Sequence, residues 1–267
     1  MSFVMTYIVP VLIFAVIGLA AGALLVFCSK VFFVESDETV ARITEALPGA
    51  NCGACGYSGC EGYAAAVAKG EAEPNMCKPG GSDSAKKIAS ILGVGAKEAE
   101  RMVAYVRCNG CNGATEERYI FKGTQSCAAA ERFYNGRMTC RSGCDGLGDC
   151  VRACAFDAIS IVDGVAVVDR AKCTGCGMCA KVCPNKLIEV IPAAQQYAVR
   201  CFNTDSGKIV REVCQNGCIG CKICEKKCSD GAIKVENDRA AIDPSKCTNC
   251  GECADACPRK CINTIGG

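Results

Sequence analysis

The residues of this sequence that could do chemistry are its cysteines, 27 among 267 residues, far above ordinary usage. They gather in tight runs such as Cys173-x-x-Cys176-x-x-Cys179-x-x-x-Cys183-Pro184. Thiols this close in sequence would be strained as disulfides, and an odd total fits complete pairing badly. The full run with its trailing proline has the spacing of 4Fe-4S ligation, in which thiolates hold iron. The sequence contains no histidine, which excludes Rieske centres, histidine-bound haem and Cys/His zinc fingers. A zinc site of four thiolates stays open by donor type alone. The net charge of +2 gives no case for nucleic acid as a partner.

A first constellation lies near the N-terminus. Cys52, Cys55, Cys60 and Cys77 form an open C-x-x-C-x4-C-x16-C pattern, with Gly53, Gly56 and Gly59 between them. Those glycines let the backbone wrap closely and offer N–H groups to cluster sulfurs. Zinc is the competing reading, because C-x-x-C serves both. The spacing resembles the small single-cluster domain of the B subunits of Rnf-type electron transport complexes and of the corrinoid iron-sulfur protein.

The second half contains one module twice, at an offset of 74 residues. Cys127, Cys140, Cys144, Cys150 and Cys154 recur as Cys201, Cys214, Cys218, Cys224 and Cys228, and the Cys173 to Pro184 run recurs as Cys247, Cys250, Cys253, Cys257 and Pro258. These runs resemble the bacterial two-cluster ferredoxin, in which three cysteines of one run and the fourth of the other bind each cluster. The resemblance assigns Cys218, Cys221, Cys224 and Cys257 to one cluster, and Cys247, Cys250, Cys253 and Cys228 to the other. In the first module it assigns Cys173, Cys176, Cys179 and Cys154 to a complete set.

The first module has one irregular set. Leu147 stands where the second copy has Cys221, leaving Cys144, Cys150 and Cys183 one ligand short, and Cys140 is the candidate fourth. Five clusters are expected. Cys108, Cys111, Cys127, Cys201, Cys214 and Cys261 remain over. A sixth cluster could use Cys108, Cys111, Cys127 and Cys140, or join Cys201 and Cys214 with thiols of the earlier copy; the alternative is that these are buried free thiols.

The elements that position these runs are legible in outline. Asp37 to Leu47 reads as an amphipathic helix stopped by Pro48-Gly49, and Ser82 to Val106 as two further helical pieces with apolar faces. Hairpins are expected at Ala158 to Ile161 with Val165 to Val168 around Asp163-Gly164, and again around Asn237-Asp238. Residues 4–27 are apolar apart from Thr6 and Tyr7, long enough as a helix to span a bilayer. A cleaved signal peptide would have a basic start and a shorter run. The expected class is α+β: a transmembrane anchor at 1–30, a small 4Fe-4S domain at 31–106, and tandem ferredoxin modules at 107–191 and 192–267.

The order of parts resembles the B-subunit family of Rnf-type ferredoxin:NAD oxidoreductases over the whole chain, in its longer form with two ferredoxin modules. That resemblance implies a single-pass protein of the bacterial cytoplasmic membrane with its clusters on the cytoplasmic side. It would accept electrons from reduced soluble ferredoxin and relay them to partner subunits, coupled overall to NAD reduction and Na+ or H+ translocation. Flavins and the nicotinamide site would belong to those partners, with no substrate-converting site in this chain. Two rivals are an electron-transfer subunit of another membrane redox complex, such as a hydrogenase, and a regulatory protein that senses oxidants.

Overall fold

The computed structural model describes residues 9–31, 38–95 and 100–265. Helix α1 (Val9–Val31) exposes Leu12, Phe14, Val16, Ile17, Leu19 and the apolar residues 24–27. Its described side chains run unbroken only from Phe14 to Cys28, and among the described residues no helix is long and apolar enough to cross a membrane. The start of the expected apolar run, Val4 to Ile8, lies outside the described residues.

Three helices form the small N-terminal unit: α2 (Glu38–Ala46), α3 (Cys60–Ala68) and α4 (Gly81–Leu92). Their apolar faces meet around Ile43, Leu47, Tyr63, Val67 and Ile88. Gly93 ends α4 in the left-handed conformation, with φ 70°, where a side chain would be strained. The second helical piece expected before Val106 is instead a strand, β1 (Met102–Val106). Its Val-Ala-Tyr-Val stretch is buried and pairs antiparallel with a strand of the first module. A short apolar run reads alike as helix or strand, and this partner decides it.

The first module continues through α5 (Cys127–Tyr134), α6 (Asp149–Arg152), β2 (Ile159–Val162), β3 (Val165–Val168), α7 (Met178–Val182) and β4 (Ile188–Pro192). The second runs through β5 (Tyr197–Val199), α8 (Gly207–Val213), α9 (Ile223–Lys227), β6 (Ile233–Glu236), β7 (Arg239–Ile242), α10 (Glu252–Asp255) and β8 (Ile262–Thr264). The described strands pair as two-stranded sheets, β1 with β4, β2 with β3, β5 with β8 and β6 with β7. This is the α+β architecture expected. The two hairpins keep one register, Ile159 opposite Val168 and Ile233 opposite Ile242. Asp163-Gly164 and Asn237-Asp238 both lie at positive φ, the conformation a tight two-residue hairpin demands.

The edge strands reveal an equivalence that the constant offset hides. Arg107 N–H donates to Leu187 O at 2.7 Å, and Arg200 N–H donates to Cys261 O at the same distance. Leu187 and Cys261 are repeat mates, so Arg107 matches Arg200, and Cys108 holds the place that Cys201 holds in the second module. The first module therefore carries extra chain between Cys108 and Cys140. That extra chain includes α5.

Candidate metal centres

In the N-terminal unit, Cys52, Cys55, Cys60 and Cys77 line one pocket of about 310 Å³ between the loop and α3. Asn51 Oδ1 accepts from Cys60 N–H at 2.8 Å and fixes the turn into α3. Tyr63 closes the floor: its hydroxyl donates to Glu73 O at 2.6 Å and accepts from Met76 N–H at 3.2 Å, which orients the segment carrying Cys77. Burial pushes the Tyr63 hydroxyl up to about 12. Each of the four expected thiols is present.

The second module brings together both expected sets. Cys218, Cys221, Cys224 and Cys257 line a pocket of about 330 Å³, and Cys228, Cys247, Cys250 and Cys253 line one of about 350 Å³. Short helices carry part of each run: α9 presents Cys224 and α10 presents Cys253, both buried. Ala232 N–H donates to Cys228 Sγ at 3.3 Å, as Ala158 N–H does to Cys154 Sγ at 3.4 Å in the first module. Such N–H to sulfur bonds stabilise thiolate charge and tune a bound cluster. Cys221 and Cys250 are exposed, so both of these sites reach the surface.

The first module repeats the second of these arrangements. Burial pushes Cys179 up to about 12, and the neighbouring thiols Cys176 and Cys173 add to it. Cys173 Sγ accepts from Ala104 N–H at 3.3 Å, which ties the run to β1. Gly175 sits at φ +66°, and a Cβ there would stand 2.5 Å from Met102 O, so only glycine fits between the ligand loop and that strand. Cys176 is raised by burial, with Cys52 and Cys154 among the charges that add to it; the N-terminal site therefore neighbours this one.

Beside the irregular set the structure places a different thiol from the one expected. Cys150 is pushed up to about 12 by burial and then by Cys144, Cys127 and Cys183. Cys127 Sγ accepts from the backbone N–H groups of Asp149 and Leu147, over the loop where Cys221 stands in the other copy. Cys127 is thus the thiol that stands with Cys144, Cys150 and Cys183, beside the backbone of Leu147. The start of α5 is built to hold it: Ser126 caps the helix by accepting from Ala129 N–H, and Asp149 Oδ2 accepts from Ser126 Oγ at 3.0 Å and Ala128 N–H at 2.9 Å. Arg152 pairs with the same carboxylate. Cys140, expected as the fourth member, lies elsewhere.

Cys140 lines a pocket of about 360 Å³ with Cys108, Cys201 and Cys214, between the two modules. Cys111, three residues after Cys108, is half-buried; its Sγ accepts from Asn216 Nδ2 at 3.7 Å. Of the two groupings the sequence left open for the remaining thiols, this pocket matches the one that joins Cys201 and Cys214 with thiols of the earlier copy; it does not gather Cys108, Cys111, Cys127 and Cys140. The signal available was the recurrence of Cys127 and Cys140 as Cys201 and Cys214, which chance placement does not explain.

Cys261 adds a fifth thiol beside one complete set. It is buried, its Sγ stands 3.6 Å from Cys257 Sγ, and it hydrogen-bonds Cys218 as well. That hydrogen bond is the main reason why Cys257 is held down to about 5 and Cys218 to about 6. Cys261 itself is raised by the same two bonds, and then by burial. Its repeat mate, Leu187, has no such group.

Among the described residues no three Cys, Asp or Glu side chains converge where one metal ion could sit. The thiols instead ring open pockets of closely similar size, with backbone N–H groups aimed at sulfur. This donor set fits four-iron clusters, whose irons present four separate corners to four thiolates.

The comparisons agree with this class. Residues 47–79 match a family described as "Putative Fe-S cluster", 166–189 one described as "4Fe-4S binding domain", and 217–261 one described as "4Fe-4S dicluster domain". The chain is an iron-sulfur protein with domains of the 4Fe-4S ferredoxin type. It is 43% identical over 251 residues to the B subunit of the ion-translocating oxidoreductase complex of Methanosarcina acetivorans, covering 94% of this chain and 95% of that one. The B subunit of the Na(+)-translocating ferredoxin:NAD(+) oxidoreductase complex of Acetobacterium woodii is 43% identical over 96% of this chain and 77% of its own. The corresponding subunit of the proton-translocating complex of Clostridium ljungdahlii is 36% identical over 97% and 93%. The chain belongs to this B-subunit family of ion-translocating oxidoreductases.

Proposed function

We propose that the chain is the subunit of an Rnf-type membrane complex that takes single electrons from reduced ferredoxin and relays them to partner subunits, coupled overall to NAD reduction and to Na+ or H+ translocation. A bound 4Fe-4S cluster supplies one-electron chemistry without bond-making in a substrate. The chain's own part is to hold clusters in succession, to shield them, and to set their potentials through N–H groups and nearby charge. The observation that carries this reading is the cysteine lining of the two pockets in the second module, four thiols in one and four with Cys261 beside them in the other, the donor set of clusters held wholly by protein thiolates. The names of the relatives support the partners.

The ligand sets supported by the geometry are Cys52, Cys55, Cys60 and Cys77; Cys154, Cys173, Cys176 and Cys179; Cys127, Cys144, Cys150 and Cys183; Cys218, Cys221, Cys224 and Cys257; and Cys228, Cys247, Cys250 and Cys253. Residues 4–27 anchor the chain in the cytoplasmic membrane as a single span, with the clusters on the cytoplasmic side. The apolar length of that run supports the anchor, and the need of thiolate clusters for a reducing compartment supports the side. Mixing the anaerobically isolated chain with reduced ferredoxin tests the relay: rapid bleaching of the cluster absorbance is expected, and redox silence would refute it.

A further inference from the structure

The pocket between the modules is built like the cluster sites on either side of it. Cys108 and Cys140 come from the first module, Cys201 and Cys214 from the second. They are two equivalent pairs. Arg107 and Arg200 make the same hydrogen bond one residue before Cys108 and Cys201, while Cys140 and Cys214 are mates at the regular offset and receive matching N–H groups from Gly143 and Gly217 at their carbonyls. The four thiols therefore come as one equivalent pair from each module.

The pocket's lining, cysteines with other residues between them, is of the same kind as at three other thiol-lined pockets. Sulfur-directed donors are in place: Gly110 N–H and Cys144 N–H each reach Cys108 Sγ at 3.4 Å, and the Nδ2 of Asn203, 2% exposed, reaches Cys140 Sγ at 3.5 Å. A Cβ at Gly110 would stand 3.4 Å from Cys108 Sγ and 3.9 Å from Cys214 Sγ, so the backbone passes against both sulfurs. Two guanidinium groups supply positive charge, Arg200 bonding Cys108 O at 3.2 Å and Arg259 bonding Cys214 O at 2.6 Å. A buried polar cluster assembled from both halves in this way has the donors of a thiolate site rather than of an apolar core.

We propose that Cys108, Cys140, Cys201 and Cys214 bind a further 4Fe-4S cluster at the interface of the two modules, a sixth for the chain. Its position links the modules. Cys108 Sγ accepts from the backbone of Cys144, a member of the irregular set of the first module, and Cys201 accepts from the backbone of Cys218, a member of a set in the second. A cluster here would touch the backbone of a ligand run in each module. The inference gives the relay reading its continuity, but its test does not depend on that reading.

The test uses the full-length protein, purified anaerobically. Iron and acid-labile sulfide in the unaltered chain should approach about 24 atoms each, against about 20 for five clusters. The Cys140→Ser and Cys201→Ser variants should each lose about four irons, and the double variant should lose the same four rather than eight. Cys111→Ser should lose none. A count of about 20 in the unaltered chain, additive losses in the double variant, zinc in place of the missing iron, or loss in Cys111→Ser with retention in Cys201→Ser would each overturn the assignment. Rapid reduction by ferredoxin alongside a count of about 20 would remove this cluster and leave the relay intact.

Discussion

Leu147 donates its backbone N–H to the sulfur of Cys127, so the residue that stands in the place of Cys221 touches the thiol that the proposed ligand set puts in that role. In that set the fourth thiol comes from the start of α5 rather than from the loop itself. Cys127→Ala is expected to cost one cluster, about four irons, while the double variant Cys127→Ala with Leu147→Cys should recover it by restoring the pattern of the second module. Iron analysis of both proteins checks this, and loss without recovery would contradict the substitution of roles.

The anchoring of α5 makes a separate prediction about stability. Asp149 accepts from Ser126 and Ala128 at the start of that helix, so Asp149→Ala should destabilise the first module by about 1 kcal/mol, the usual size of a lost cap. Urea unfolding of the loaded protein would measure it. The clusters of the second module should be unaffected in their spectra.

Cys261 should act on a cluster without binding it. With Cys261→Leu, the residue found in the first copy, the iron content should stay constant. The potential of one cluster should fall, because a hydrogen bond to its thiolates is gone; a tenfold change in the equilibrium is about 59 mV for one electron. Potentiometric titration followed by EPR would show the shift. Loss of about four irons would instead make Cys261 a ligand.

How far the sequence carries depends on the range of the interactions involved. The runs in the second module, the hairpin turns at Asp163-Gly164 and Asn237-Asp238, and the N-terminal set were legible because each is fixed by local spacing. Met102 to Val106 was not, since its strand character comes from β4, which pairs Val106 with Ile188 and Met102 with Pro192 far along the chain. Cys140 was misplaced for a related reason. Its partners, Cys201 and Cys214, lie in the other module, and the 74-residue offset pairs Cys127 with Cys201 although the backbone pairs Cys108 with it.

Lys222, Lys226 and Lys227 are exposed beside the exposed Cys221. This face suits an acidic electron carrier. Reversing the three charges to glutamate should slow reduction by ferredoxin about tenfold at low ionic strength, with the difference shrinking as salt screens the encounter. Stopped-flow rates at several salt concentrations would check it, and equal rates throughout would place docking elsewhere.

The relay itself is tested most directly by freeze-quench EPR on the intact complex, with reduced ferredoxin in one mixing line and NADH in another. The account predicts that ferredoxin reduces the clusters of this chain ahead of any flavin-bearing partner, and that NADH reaches them only afterwards through those partners. Clusters that stay oxidised with ferredoxin while the partners are reduced would contradict it.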